Sequence, residues 1–198
     1  EISNSKVYEH DLFISKVFTN KALIKQDDYD VVILDSYSTR SVRIKNDIAP
    51  KLPFMGMFGF FNGPEINRVL FSFHRMNQLL GYKHSEREIS KIAKAHLEIS
   101  SNDKKIIKRI KLPNKYISIA IGGEWAYRTF DQWDLVIEKL LNKDRELNIV
   151  LVGSENGSDT AETLKGKFLE FNIINCVAKF TFNQTADIIN KSSILLCC

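Results

Sequence analysis

Cysteine is scarce in this chain, and the three present, Cys176, Cys197 and Cys198, have neither zinc-site nor C-x-x-C spacing. That excludes a disulfide framework and a zinc finger. All three sit in apolar, strand-like segments, where buried free thiols of a reducing compartment are expected. Glycine and proline are also few, 9 and 4 of 198 residues, which excludes collagen-like and linker-dominated chains. No run approaches 18 apolar residues, so no transmembrane helix is expected, and no secretory signal is visible. His10, His74, His84 and His96 form no H-x-x-x-H pair or metal triad. G-x-S-x-G, G-x-x-x-x-G-K-[ST] and G-x-G-x-x-G are all absent, which removes the nucleophile elbow, the P-loop and the dinucleotide fingerprint. The formal net charge of +4 is compatible with nucleotides, an anionic membrane surface or simply solvated lysines. The lysines read as scattered, without an aromatic–basic stripe, which argues against a nucleic-acid partner. The chain starts at Glu1 and stops inside the apolar run SSILLCC, so pieces at both ends are expected to be missing.

What is present is alternation. Tyr29–Asp35, YDVVILD, has four apolar residues bounded by acids and reads as a parallel strand buried on both faces. The segment 51–62, KLPFMGMFGFFN, predicts a short strand with irregular flanks that either packs core or lines a pocket. Residues 67–80 predict a helix stopped by Gly81. Residues 83–112 are polar and lysine-rich and end in Lys111-Leu112-Pro113-Asn114, the expected domain boundary, giving domains 1–112 and 113–198. Beyond it the pattern is regular. Strand Tyr116–Ile121 precedes a helix over Gln132–Leu141, capped by Asp131, with Trp133 as core and Leu135, Val136, Ile137, Leu140 and Leu141 facing inward. Strand Leu147–Val152 follows, then a helix from Asp159 or Thr160 to near Phe171. Cys176-Val177 reads as a short strand, Phe180–Asn190 as a helix capped by Thr181 or Asn183, and Ile194–Cys198 as a last strand. Such alternation is the signature of a parallel sheet covered on both faces, an α/β fold.

The candidate chemistry lies where strands leave the second sheet. Gly122-Gly123 is either an ordinary tight βα loop or a place where backbone amides meet a ligand. Arg128 precedes a helix, where a guanidinium can clamp phosphate oxygens or be solvated. Trp125 is the ring best placed to stack on a base or sugar. Gly153-Ser154-Glu155 follows the next strand, and Glu155 can accept hydroxyl protons from a ribose. Lys179 and Thr181 open a helix whose free amides can meet a phosphate, and Thr181 can equally serve as its cap. In the first half, Asp35 at a strand end is the one carboxylate in a functional topology.

With these residues in view, the chain resembles the bacterial ADP-heptose:lipopolysaccharide heptosyltransferases, glycosyltransferase family 9. The likeness rests on IAIGGEWAYRTFDQW followed by IVLVGSEN, where the family has a glycine loop, a lysine and a tryptophan before a helix, then a strand ending in a glycine-rich turn with a glutamate. Arg128 falls at the family's lysine. Cys176–Thr181 aligns with the family's loop of glycine, a basic residue and a hydroxyl residue, with Ala178 at the glycine. DIINKSSILLCC resembles the helix and strand before the family's Asp-x-Gly-x-x-His element, and YDVVILDSYSTRS and HRMNQLLG resemble first-domain segments.

The resemblance implies a GT-B arrangement of two Rossmann-like domains across a cleft, incomplete at both ends. The second domain would bind a nucleotide sugar through Gly122, Gly123, Trp125, Arg128, Gly153, Glu155, Lys179 and Thr181. The donor would be ADP-linked and the acceptor lipid A–core, with inversion and no metal. The general base, an aspartate in the family, would lie outside this sequence, so the fragment is expected to bind nucleotide without turnover. The implied protein is a monomer of the cytoplasm, in peripheral contact with the anionic inner membrane. Two other readings stand beside it: a nucleotide-sugar-binding protein without catalysis, and a sugar-nucleotide epimerase of similar architecture.

Overall fold

The computed structural model describes residues 5–58, 67–123 and 129–197. The chain divides into two compact units, Glu1–Leu97 and Glu98–Cys198. The division falls ahead of the 112/113 break suggested by composition, because the lysine-rich stretch carries a helix that packs into the second unit.

In the first unit, strand β1 (Val32–Ser36) pairs in parallel with β2 (Phe54–Phe58), Val32 opposite Phe54 and Leu34 opposite Gly56. Helix α1 (Thr39–Ile48) supplies the crossover that parallel strands require. Ser38 starts it, its Oγ accepting from the Ser41 amide at 3.1 Å. Lys45 of α1 is buried; its ammonium donates to the Pro50 carbonyl at 3.0 Å and lies 5.1 Å from the Phe54 ring centroid. The VVIL run is not buried on both faces as its composition predicts: Leu34 is buried, but Ile33 is 42% exposed. Among the described residues the sheet has two strands with α1 packed on β1, and successive side chains point to opposite faces. Helix α2 (Arg68–Leu79) begins at Asn67, whose Oδ1 accepts from the Val69 amide. It ends where Gly81, at φ +69°, takes the left-handed conformation that glycine tolerates. Helix α3 (Glu86–Ile92) starts with a reciprocal capping box between Ser85 and Glu88. Those hydrogen bonds from Ser85 hold the Glu88 carboxyl below the usual range.

The second unit is built on a four-stranded parallel sheet in the order β5-β4-β3-β6. Its strands are β3 (Ile117–Ala120), β4 (Ile149–Val152), β5 (Ile173–Asn175) and β6 (Leu195–Leu196). Its helices are α4 (Ser101–Lys108), α5 (Trp133–Lys143), α6 (Ser158–Lys167) and α7 (Phe182–Lys191). The two-residue period of the strands divides the core in two. Ile117, Ile119, Ile149, Leu151 and Ile173 pack with Trp133, Ile137, Leu141, Ala161 and Leu164 from α5 and α6. Val150, Val152 and Tyr116 pack with Ile107 of α4 and Ile188 of α7 on the other face. Hence β4 is buried at all four positions, as a central parallel strand should be.

Several local expectations are corrected. Asp131 does not cap α5: the N-cap is Gln132, with no side-chain cap bond. Leu135 is 48% exposed, because the inward stripe runs through Trp133, Ile137 and Leu141. Cys176-Val177 follows β5 rather than forming it, and Cys197 is exposed, unlike the buried Cys176. The helix begun near Asp159 stops at Lys167, short of Phe171.

Candidate functional site

In the second unit, β3, β4 and β5 step outward in order, linked by α5 and α6 on one face. The chain then crosses back through α7 on the other face, and β6 lands on the far side of β3. The strand order therefore reverses beside β3. Ligands of open parallel sheets bind outside the carboxyl ends of the strands at such a reversal.

The loops at that edge are interlocked. Gly122 leaves β3 at φ +86°, and a Cβ there would meet Asn156 Oδ1 at 2.9 Å and the Gly157 backbone at 3.0 Å. Gly153 leaves β4 at φ +154°, and its Cβ would lie 2.2 Å from the Ile121 carbonyl oxygen. Gly157 presses on the same oxygen, its Cβ position 2.7 Å away. The Asn156 amide donates to the Gly123 carbonyl, while the Ser154 hydroxyl donates to Asn156 Oδ1 at 2.7 Å. The glycines at 122 and 153 are thus required by loop packing before any ligand is considered. Glu155 stands exposed in a one-turn 3-10 helix, Glu155–Gly157, on this same turn.

The β5 loop joins them. The Ala178 amide donates to the Gly153 carbonyl at 3.0 Å, with Ala178 itself at φ +56°. This left-handed conformation is the one a glycine would take without strain. Lys179 Nζ donates to the Asn175 carbonyl at 2.9 Å and keeps two N–H groups uncommitted by that bond. Burial raises the pKa of the Cys176 thiol, and the Lys179 charge acts against that rise. Thr181 is the N-cap of α7, in a capping box with Gln184. Its Oγ1 accepts from the Gln184 amide at 3.3 Å, so the hydroxyl proton remains a donor. Gln184 also reaches α4, its Nε2 donating to Asp103 Oδ1 at 2.8 Å, and Asn183 Nδ2 donates to the Glu98 carbonyl at 2.9 Å. These bonds fix the start of α7 against α4 and the residues just before it.

The structure therefore brings the turns of Gly122, Gly123, Gly153 and Glu155 together with the loop carrying Lys179 and Thr181 at one sheet edge. Trp125 and Arg128 lie outside the described residues. Sequence reasoning missed Asn156, Gly157 and Gln184. The Thr-x-x-Gln spacing carried the signal for Gln184. Asp35 is exposed within β1. Among the described residues no group of three or more His, Cys, Asp or Glu side chains is placed to hold a metal ion, and no helix is long and apolar enough to cross a membrane.

No protein-family model and no curated protein matches this chain. Among solved structures, it is similar to the crystal structure of the glycosyl transferase family 9 protein from Veillonella parvula DSM 2008. The TM-score is 0.58 at 16% identity, covering 84% of this chain and 50% of that one. The chain thus spans about half the length of that protein. A likeness at this identity speaks for architecture: the fold is α/β and GT-B-like, with two Rossmann-like units that each carry a parallel sheet flanked by helices.

Proposed function

We propose that this chain is part of a glycosyltransferase of the GT-B superfamily, close to family 9. In this reading this sequence by itself binds nucleotide without turnover, while the whole protein moves heptose or a related sugar from an ADP-linked donor to lipopolysaccharide core, with inversion and without a metal. It works as a monomer in the cytoplasm, in peripheral contact with the inner membrane. The observation that carries the reading is the interlocked set of β3, β4 and β5 loops beside the strand-order reversal of a GT-B-like fold.

Each site residue then has a role. The backbones of Gly122, Gly123 and Gly153 approach the diphosphate closely. Lys179 and Arg128 supply positive charge, and Thr181 with the first amides of α7 donates to a phosphate oxygen. Trp125 stacks on the base or sugar, and Glu155 accepts from ribose hydroxyls. An acceptor hydroxyl attacks the anomeric carbon, the bond from that carbon to the diphosphate oxygen breaks, and ADP leaves with the electron pair. Preorganised donors stabilise the charge that gathers on ADP. The hydroxyl proton passes to a general base, a role assigned to no residue of this chain.

Calorimetric titration of ADP, UDP and GDP tests the reading. ADP is expected to bind best. Lys179→Ala and Arg128→Ala are each expected to weaken it roughly tenfold to a hundredfold, the worth of one charge-assisted hydrogen bond. Preference for UDP or GDP would change the donor, and absence of binding to all three would sink the reading.

A further inference from the structure

Between Lys104 and Lys115 the chain carries six cations, Lys104, Lys105, Lys108, Arg109, Lys111 and Lys115, and no acid. What looks scattered in sequence is gathered by α4. At 100° per residue, Lys104, Lys105, Lys108 and Arg109 fall within a sector of about 140°. Asp103, Ile106, Ile107 and Ile110 take the opposite sector, where Ile107 is fully buried against α7 and Asp103 receives the Gln184 amide. All six cations are exposed. No ion pair among the described residues involves any of them. Lys167, Lys191 and Arg145 of the same unit, by contrast, lie against carboxylates at 2.7, 2.5 and 3.8 Å. Lys104 and Lys108, and Lys105 and Arg109, are like charges four residues apart, an arrangement that weakens a helix unless an anion offsets it. The Gln184–Asp103 bond ties α4 to α7, and the Asn183–Glu98 bond ties the residues just before α4 to the same helix.

We propose that the exposed face of α4, continued by Lys111 and Lys115, is a docking surface for an anionic lipid bilayer. The proposal assigns a place to the membrane contact in the functional reading above, and does not depend on the sugar-transfer chemistry. The character of the patch favours lipid over nucleic acid. Five of its six cations are lysines, compact point charges that suit a fluid carpet of headgroups. The segment 101–115 contains no aromatic residue on which a base could stack.

The test is sedimentation of the 198-residue chain with vesicles of phosphatidylcholine alone, or with about one third phosphatidylglycerol. The wild type is expected to partition onto the anionic vesicles only and to be released by salt. Lys104→Glu, Lys105→Glu and Lys108→Glu together are expected to lower partitioning by about a hundredfold or more. The set Lys139→Glu, Lys143→Glu and Lys165→Glu makes the same change in net charge on other exposed positions of the unit and is expected to retain binding. A Lys→Gln version of the α4 triple, with an unchanged thermal melt, guards against misfolding and is expected to show an intermediate loss. ADP titration of the α4 triple separates this surface from the nucleotide site, because failure of one assay leaves the other intact. No partitioning by the wild type, equal losses in the two triple sets, or displacement from vesicles by an oligonucleotide at equal charge would each overturn the proposal.

Discussion

Replacing Gly153 by alanine is expected to destabilise the second unit by roughly 2–5 kcal/mol, the sum of backbone strain and overpacking. The new Cβ would sit 2.2 Å from the Ile121 carbonyl oxygen, at a backbone φ of +154°. Neither party can move cheaply. The Ile121 amide donates to the Val152 carbonyl at 2.8 Å, so displacing Ile121 to free its carbonyl strains the β3–β4 ladder at its functional end. Gly166 is the control. It lies inside α6 with nothing within 4 Å of its Cβ position, and alanine there should stabilise by about 0.5–1 kcal/mol. Urea denaturation of both variants measures the contrast. Native stability in Gly153→Ala would contradict the interlocked loops.

The second large effect is alkaline and belongs to Tyr116. Burial pushes its phenol pKa up to about 12, with smaller contributions from the charges of Asp187 and Cys176. Its hydroxyl donates to the Ile188 carbonyl at 2.6 Å, in the core beneath α7. In the unfolded chain the phenol ionises near pH 10. Between the two values the unfolded state has lost a proton that the folded state keeps, so stability falls as pH rises. The contribution is fully present below pH 10 and about 2 kcal/mol smaller by pH 12. The Cys176 thiol, also raised by burial, acts in the same direction, so the comparison must be with Tyr116→Phe. That variant is expected to be about 1 kcal/mol less stable at neutral pH, through the lost hydrogen bond. It should lack this part of the alkaline loss, so the two stability curves close on each other above pH 10 and cross before pH 12. Parallel curves up to pH 12 would show that the phenol is not protected.

Legibility in the sequence followed how local each signal was. Strand β4 was visible because a central parallel strand needs an unbroken apolar run. Helix α2 was visible because Gly81 marks its end. Helices α3 and α4 were not seen, since short polar helices have weak periodicity. Their caps were nonetheless written in the chain, as Ser85 with Glu88 and Ser100 with Asp103. Ile33 and Leu135 were misjudged because exposure depends on what covers a face, which no local pattern encodes. At the site, Gly122, Gly153 and Thr181 were legible as a loop and a cap. Their partners Asn156 and Gly157 were not, because the contact to Gly122 joins loops more than thirty residues apart. Trp125 and Arg128 lie outside the described residues, and their roles rest on the sequence and the proposed function.

The most direct test of the central claim is amide chemical-shift mapping of the isotopically labelled chain on addition of ADP. The account expects the largest shifts at Gly122, Gly123, Gly153, Lys179 and Thr181, with the first unit unmoved. Shifts confined to other residues, or none at saturating nucleotide, would contradict it.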